Sequence, residues 1–289
     1  MTRRILAAES VTELGDEVRG AVLVAGSHGG LIASYFGAKA GAHALILNDA
    51  GIGLDEAGVA GLPWLDAIGL AAAVVAHTSA RIGDGADSLA RGVISRANDC
   101  AQRAGVKAGM SARAAAEKLA GAAAPFAAPP AYAEGRWRIE QCHRIEQSNR
   151  IEVWALDSVG KLMSDDAGRI LLIGSHGALH GGRRESALNL NGTAIAARAA
   201  VFNDAGVGAD GAGITRLLAL DARDVPAATV SHTSARIGDG RSIWEYGVLS
   251  HVNHRAAILG AQPGMTVPDF VALFANGLAG VPSAGLQPT

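Results

Sequence analysis

His77-Thr78-Ser79-Ala80-Arg81-Ile82-Gly83-Asp84-Gly85 recurs letter for letter as His232-Thr233-Ser234-Ala235-Arg236-Ile237-Gly238-Asp239-Gly240. At the same offset of 155 residues, Asn48-Asp49-Ala50-Gly51 matches Asn203-Asp204-Ala205-Gly206, Leu65-Asp66 matches Leu220-Asp221 and Gly109-Met110 matches Gly264-Met265. Upstream, Gly26-Ser27-His28-Gly29 matches Gly174-Ser175-His176-Gly177 at the shorter offset of 148, so the second copy carries an insertion after this turn. The chain is one unit duplicated. Residues 1–124 read as the first repeat, 125–149 as a linker broken by Pro129-Pro130, 150–281 as the second repeat and 282–289 as a tail.

The three motifs punctuate an alternation. Ala21–Ala25 is a short apolar run that ends in Gly-Ser-His-Gly-Gly, and a helical stretch follows to about Ala40. Ala44–Leu47 ends in Asn-Asp-Ala-Gly, and Ala72–Ala76 ends in the nine-residue motif. Short apolar runs alternating with helical segments mark buried parallel strands joined by crossover helices. Ile5–Glu9 and Ile151–Leu156 read as edge strands, and Asp87–Ala104 as a helix that carries Gly92, Ser95 and Asn98 along one side. Arg136–Arg144 reads as a connector or an extra strand. The expected fold is α/β: two tandem three-layer βαβαβα units with mostly parallel sheets, related by a pseudo-two-fold axis. Because every motif follows a strand, all three converge on one sheet edge, where open α/β folds bind ligands.

Bulk properties exclude several classes. A net charge of −2 gives no basic stripe for nucleic acid, and 4% aromatic residues are too few for base-stacking platforms. No apolar run is long enough to span a bilayer. Cys100 and Cys142 occupy unmatched places in the two copies and neither belongs to a CxxC pair, which argues against a disulfide framework. The first residues lack a long apolar stretch and suggest no signal peptide. The expectation is a cytoplasmic protein whose partner is a small-molecule substrate, with no nucleic acid and no membrane; a homo-oligomer is compatible with the duplication.

The duplicated polar residues nominate a site. His77 and His232, or His28 and His176, are candidate general bases that activate Ser27, Ser175, Ser79, Ser234 or a water. Asp49 and Asp204 could orient a histidine or hold a metal. Arg81 and Arg236 offer planar forks for a carboxylate, with Asp84 and Asp239 as partners that hold them. Asn48 and Asn203 fit either substrate contact or local turn chemistry. The Gly-Ser-His-Gly turns offer backbone N–H groups to an oxyanion. His28, Asp49, His77 and Asp84 could supply a divalent-metal site, but no compact ligand spacing calls for a cofactor. His251 and His254, three apart, could do the same or lie at the surface.

These residues point to an enzyme on a small anionic or amide-bearing metabolite, with hydrolysis favoured over isomerase or lyase chemistry. A non-catalytic anion-binding protein needs the arginines and not the histidines. A metal-dependent hydrolase or isomerase needs His and Asp ligands. A purely structural role for the motifs, knitting the halves together, needs neither ligand nor turnover.

Overall fold

A computed structural model describes residues 3–140 and 151–274. The first half forms a five-stranded sheet from β1 (Ile5–Ala8), β2 (Val22–His28), β3 (Ala44–Asn48), β4 (Ala71–Val75) and β5 (Ile94–Ala97), in that spatial order. β1 to β4 are mutually parallel, and β5 runs antiparallel to β4. The second half forms a six-stranded sheet from β6 (Arg136–Arg138), β7 (Val153–Leu156), β8 (Ile170–His176), β11 (Ala199–Asn203), β12 (Ala227–Val230) and β13 (Leu249–Val252), with β6 and β13 at the edges. A small hairpin, β9 (Asn189–Leu190) and β10 (Thr193–Ala194), lies within the insertion. The chain is therefore an α/β protein of two tandem units with mostly parallel mixed sheets.

Period-two alternation puts apolar side chains on both faces of each sheet. Val22, Val24, Ile46 and Val75 enter one cluster, while Leu23, Leu45, Leu47 and Val74 enter another on the opposite face. Helices cover them. Ala112–Leu119 buries Ala112, Ala115, Ala116 and Leu119, an i, i+3, i+4, i+7 stripe, and Ser111 caps it by accepting from Ala114 N. Leu45 is fully buried, so truncation to Ala would cost about 2–5 kcal/mol.

Three expectations change. The helix read over Asp87–Ala104 is a helix at Gly85–Arg91, then β5, then a helix at Asp99–Arg103. Gly92 leaves the helical region, with φ −59° and ψ 141°, and the β-branched pair Val93-Ile94 starts the strand that pairs with β4. Gly92, Ser95 and Asn98 thus share no helix side. Second, β7 is not an edge strand, because the linker supplies β6 outside it; residues 141–144 of the charged stretch lie outside the described residues. Third, the first crossover helix of copy one, Leu31–Lys39, has no counterpart in copy two, where tight turns at His180–Gly182 and Arg184–Ala187 and the hairpin take its place.

Among the described residues no helix is long and apolar enough to cross a membrane. Cys100 is a free thiol; Cys142 lies outside the described residues.

Candidate functional site

The three strand-end motifs meet. His28 on β2 pairs in register with Asn48 on β3, and Asn48 with Val75 on β4. One residue beyond β3, Asp49 is buried; its Oδ1 accepts from His77 N at 2.9 Å, from His77 Nδ1 at 2.9 Å and from Gly51 N at 3.1 Å. Ser95 Oγ on β5 donates to the other carboxylate oxygen at 2.8 Å. Copy two repeats this: Asp204 Oδ1 accepts from His232 N at 2.9 Å, His232 Nδ1 at 3.0 Å and Gly206 N at 3.0 Å. Burial pushes each carboxyl up, but the bonds from the histidine and the serine outweigh it and hold both Asp49 and Asp204 below the usual carboxylate range. Ser250 differs from Ser95: its hydroxyl donates to the Thr229 carbonyl at 3.2 Å and lies 3.1 Å from Thr229 Oγ1, and its lowering of the Asp204 carboxyl is the smallest of the named contributions.

The two Asp–His pairs face each other where the lobes dock. The His77 and His232 rings lie 6.5 Å apart, centroid to centroid. Each side chain is about a quarter exposed, and no described residue hydrogen-bonds either Nε2. The docking is reciprocal: Leu54 N donates to His232 O at 2.8 Å, and Ala209 N to His77 O at 2.7 Å. Gly51 and Gly206 have φ of +74° and +75°, and a Cβ on either would stand 2.7 or 2.8 Å from Cδ2 of the opposing histidine. Only glycine meets both demands. Ala50 and Ile52, with Ala205 and Val207, also have positive φ, so strain of about 1–3 kcal/mol per residue is concentrated at the junction. An apolar plug of Ala50, Ile82, Ala178, Ala205, Ala212 and Ile237 seals the rest of it. Reciprocity of this kind is the mark of a pseudo-two-fold axis.

The remaining nominated residues have structural partners. Ser27 Oγ accepts from Val11 N and Ser175 Oγ from Val159 N, both at 3.1 Å. His28 Nδ1 accepts from Gly30 N at 3.1 Å and His176 Nδ1 from Ala178 N at 3.3 Å. Both rings are buried; burial drops His28 to about 4 and His176 well below the ordinary histidine range. Neither Ser27 nor His28 bonds to the Asp49–His77 pair. The Gly29 and Gly177 N–H groups, expected to face an oxyanion, donate instead to the Asn48 and Asn203 carbonyls, because β2 and β8 run on through the turn to His28 and His176. Asn48 and Asn203 are fully buried and tie motif to motif: Nδ2 donates to the Ala80 or Ala235 carbonyl, and Oδ1 accepts from Ala50 or Ala205 N. Ser79 donates to the Ala76 carbonyl and accepts from Val93 N, and Ser234 does the same with Ser231 and Val248.

The arginines reach across the junction. Arg81 Nη2 lies 2.9 Å from Asp84 and 3.1 Å from Asp87, and its Nη1 3.3 Å from Asp210 of the other lobe. Arg236 mirrors this with Asp55 at 2.7 Å and Asp239 at 3.5 Å. Asp84 and Asp239 also cap the helices that follow, accepting from Asp87 N and Ser242 N. Much of the nine-residue identity is thus accounted for by packing, capping and cross-lobe pairing. His251 lies on β13 and His254 opens a helix; among the described residues no three His, Cys, Asp or Glu side chains gather as a metal site.

The sequence does not reveal Ser95 as a partner of Asp49, with Ser250 at the equivalent place beside Asp204, or Asp55 and Asp210 as partners of the arginines. The first pair had a visible signal, since Gly-Val-x-Ser-x-x-Asn occurs in both copies. No protein family, curated protein or solved structure matches the chain.

Proposed function

We propose that the protein is an enzyme that hydrolyses a small anionic or amide-bearing metabolite at the lobe junction, with His77 and His232 as an acid–base pair. One observation carries this reading: two imidazoles, each oriented through Nδ1 by a buried aspartate, face one another with both Nε2 atoms unpaired. An aspartate on Nδ1 fixes the tautomer and steadies the imidazolium that forms during proton transfer. One histidine takes a proton from water as its oxygen bonds to the carbonyl carbon. The other gives a proton to the nitrogen as the carbon–nitrogen bond breaks. Ser95 and Ser250 keep the aspartates in place. Holding a substrate carboxylate with Arg81 or Arg236 requires the Asp210 or Asp55 contact to open first.

A second reading, that the motifs only join the lobes, is favoured by the reciprocal ion pairs of Arg81 and Arg236. A panel of cyclic amides, N-acyl amino acids and ureides, assayed for hydrolysis with wild type and His77→Asn/His232→Asn, separates the two. Catalysis predicts that turnover falls by about 10²–10⁴ at an unchanged melting temperature. Equal turnover in the variant, or no hydrolysis by wild type together with a lowered melting temperature in the variant, overturns the enzyme reading.

A further inference from the structure

The junction has two flanks that the pseudo-two-fold axis should make alike, and they differ. On one, the insertion of copy two is packed against copy one. Gly181 N donates to the Gly83 carbonyl at 2.8 Å, and a Cβ on Gly83 would stand 2.5 Å from the Leu179 carbonyl oxygen. Glu9, at the end of β1, packs against Gly181, and its buried Oε2 has no hydrogen-bond partner. Burial and the nearby Asp84 push the Glu9 carboxyl up, and the guanidinium of Arg183, another insertion residue, pulls it back. On this flank the protein supplies its own occupant for the carbonyl, a backbone N–H, and the Arg183 guanidinium, paired with Glu13 at 3.3 Å, acts on Glu9 only through its charge.

The opposite flank keeps the receptor and lacks the occupant. Asp157 follows β7 as Glu9 follows β1, and Gly238 stands where Gly83 does. No described residue donates to the Gly238 carbonyl, and the nearest atoms a Cβ there would meet are His28 Cε1 at 3.5 Å and Ile32 Cδ1 at 3.6 Å. What lies beside it is a cavity of about 570 Å³, walled by Ile32, Ala60, Tyr132, Trp137 and Asp157; its charged rim holds four acids, Asp55, Asp157, Asp239 and Glu245, against two cations, Arg236 and Arg241. Asp157 accepts from Gly135 N at 2.6 Å and Gly240 N at 3.2 Å and has no cationic partner. Burial, together with Asp239 and Glu134, raises its carboxyl. The Trp137 ring already carries one cation on its face, the Arg241 guanidinium at 4.1 Å from the centroid. The cavity has the volume of a small-molecule site.

We propose that this open flank binds a small organic cation with N–H donors, an alkylammonium or guanidinium group. The cation donates to Asp157 and to the Gly238 carbonyl and lies against the Tyr132 and Trp137 rings. On the Gly238 carbonyl it takes the place that the insertion's backbone N–H takes on the Gly83 carbonyl. The copy-one helix Leu31–Lys39, which replaces the insertion, leaves this space open. The histidine pair does not line the site, although Arg236 and Asp55 do, and the proposal does not depend on the hydrolytic reading.

Titration calorimetry of the full chain with methylguanidinium and n-butylammonium, with N-methylacetamide and acetate as controls, tests it. Expected is saturable one-to-one binding of at least one cation and none of acetate. Asp157→Asn weakens it at least tenfold, Ala60→Trp, which fills the cavity from its wall, abolishes it, and His77→Asn/His232→Asn leaves it unchanged. No saturable binding of either cation to the wild type overturns the proposal. So does equal binding by the Ala60→Trp protein, which decides the matter even where Asp157→Asn fails to fold. Loss of binding in the histidine variant would move the site to the junction centre and equally overturn it.

Discussion

Gly61 in the first lobe and Arg216 in the second stand at the same place in the repeat, and each N–H donates to the carbonyl of the glycine after the strand-end histidine, Gly29 or Gly177. In the first lobe the helix Leu31–Lys39 presses so close that a Cβ on Gly61 would run into Ser34 Oγ. In the second lobe that helix is gone, and Arg216 fills the space from within. It is 1% exposed, donating to the Ala178, Ser186 and Ala187 carbonyls and to His180 Nε2. Burial without a directly bonded carboxylate lowers it to about 10, and the Glu13 charge offsets part of this. The contrast shows how a duplicated fold diverges: the strands and the dyads stay, while the crossover between the first two motifs is rebuilt around one substituted residue.

The largest effect should come from undoing that rebuilding. Arg216→Met removes the donors of three buried carbonyls, and urea unfolding should show a loss of about 3 kcal/mol or more. If the loss is below about 1 kcal/mol, the insertion does not depend on Arg216 and the contrast between the lobes is superficial. Next in size is a response to acid. His28 sits at about 4 when folded and near 6.5 when unfolded, so the unfolded chain takes up the proton first. Stability is therefore fully present above about pH 6.5 and falls as the pH drops toward 4, by about 3 kcal/mol at 1.36 kcal/mol per pH unit. His28→Asn keeps an acceptor for Gly30 N–H and should lose that much less over the same window. His176 contributes in the same direction from the other lobe. Asp49 and Asp204, held low, add a further loss only below the ordinary carboxylate range. Parallel curves for wild type and variant would refute the buried neutral ring. The smallest effect belongs to the cross-lobe arginines. Arg236→Ala breaks an exposed pair with Asp55 and should cost less than about 1 kcal/mol, less still at high salt. Arg81→Ala leaves Asp84 without a cation, while Asp87 and Asp210 keep Arg91, and it should still be the more damaging of the two by melting temperature. The reverse order would mean that the two ends of the junction are not braced as the contacts indicate.

How much of this could be read from the chain depends on the range of the interaction. The repeats, the strand ends and their convergence were legible, because apolar runs and duplicated polar motifs are local signals. Ser95 is hidden for a local reason too: Gly92, Ser95 and Asn98, small residues three apart, imitate a helix side, although the β-branched Val93-Ile94 pair favours a strand. Asp55 and Asp210 could not be read, since each comes from a loop whose only link to the opposing arginine is the docking of two sheets. Nor could the closed and open flanks, because an insertion announces its length and not the space it fills.

Gly51 and Gly206 touch across the axis, and this has a consequence for ancestry. A junction that reads the same from both sides fits two copies of one half as well as it fits two different halves. In such a pair both flanks must be alike, both filled or both empty. Joining the halves in one chain released that constraint. One edge could become permanent wall while the other stayed a doorway, without disturbing the histidines between them.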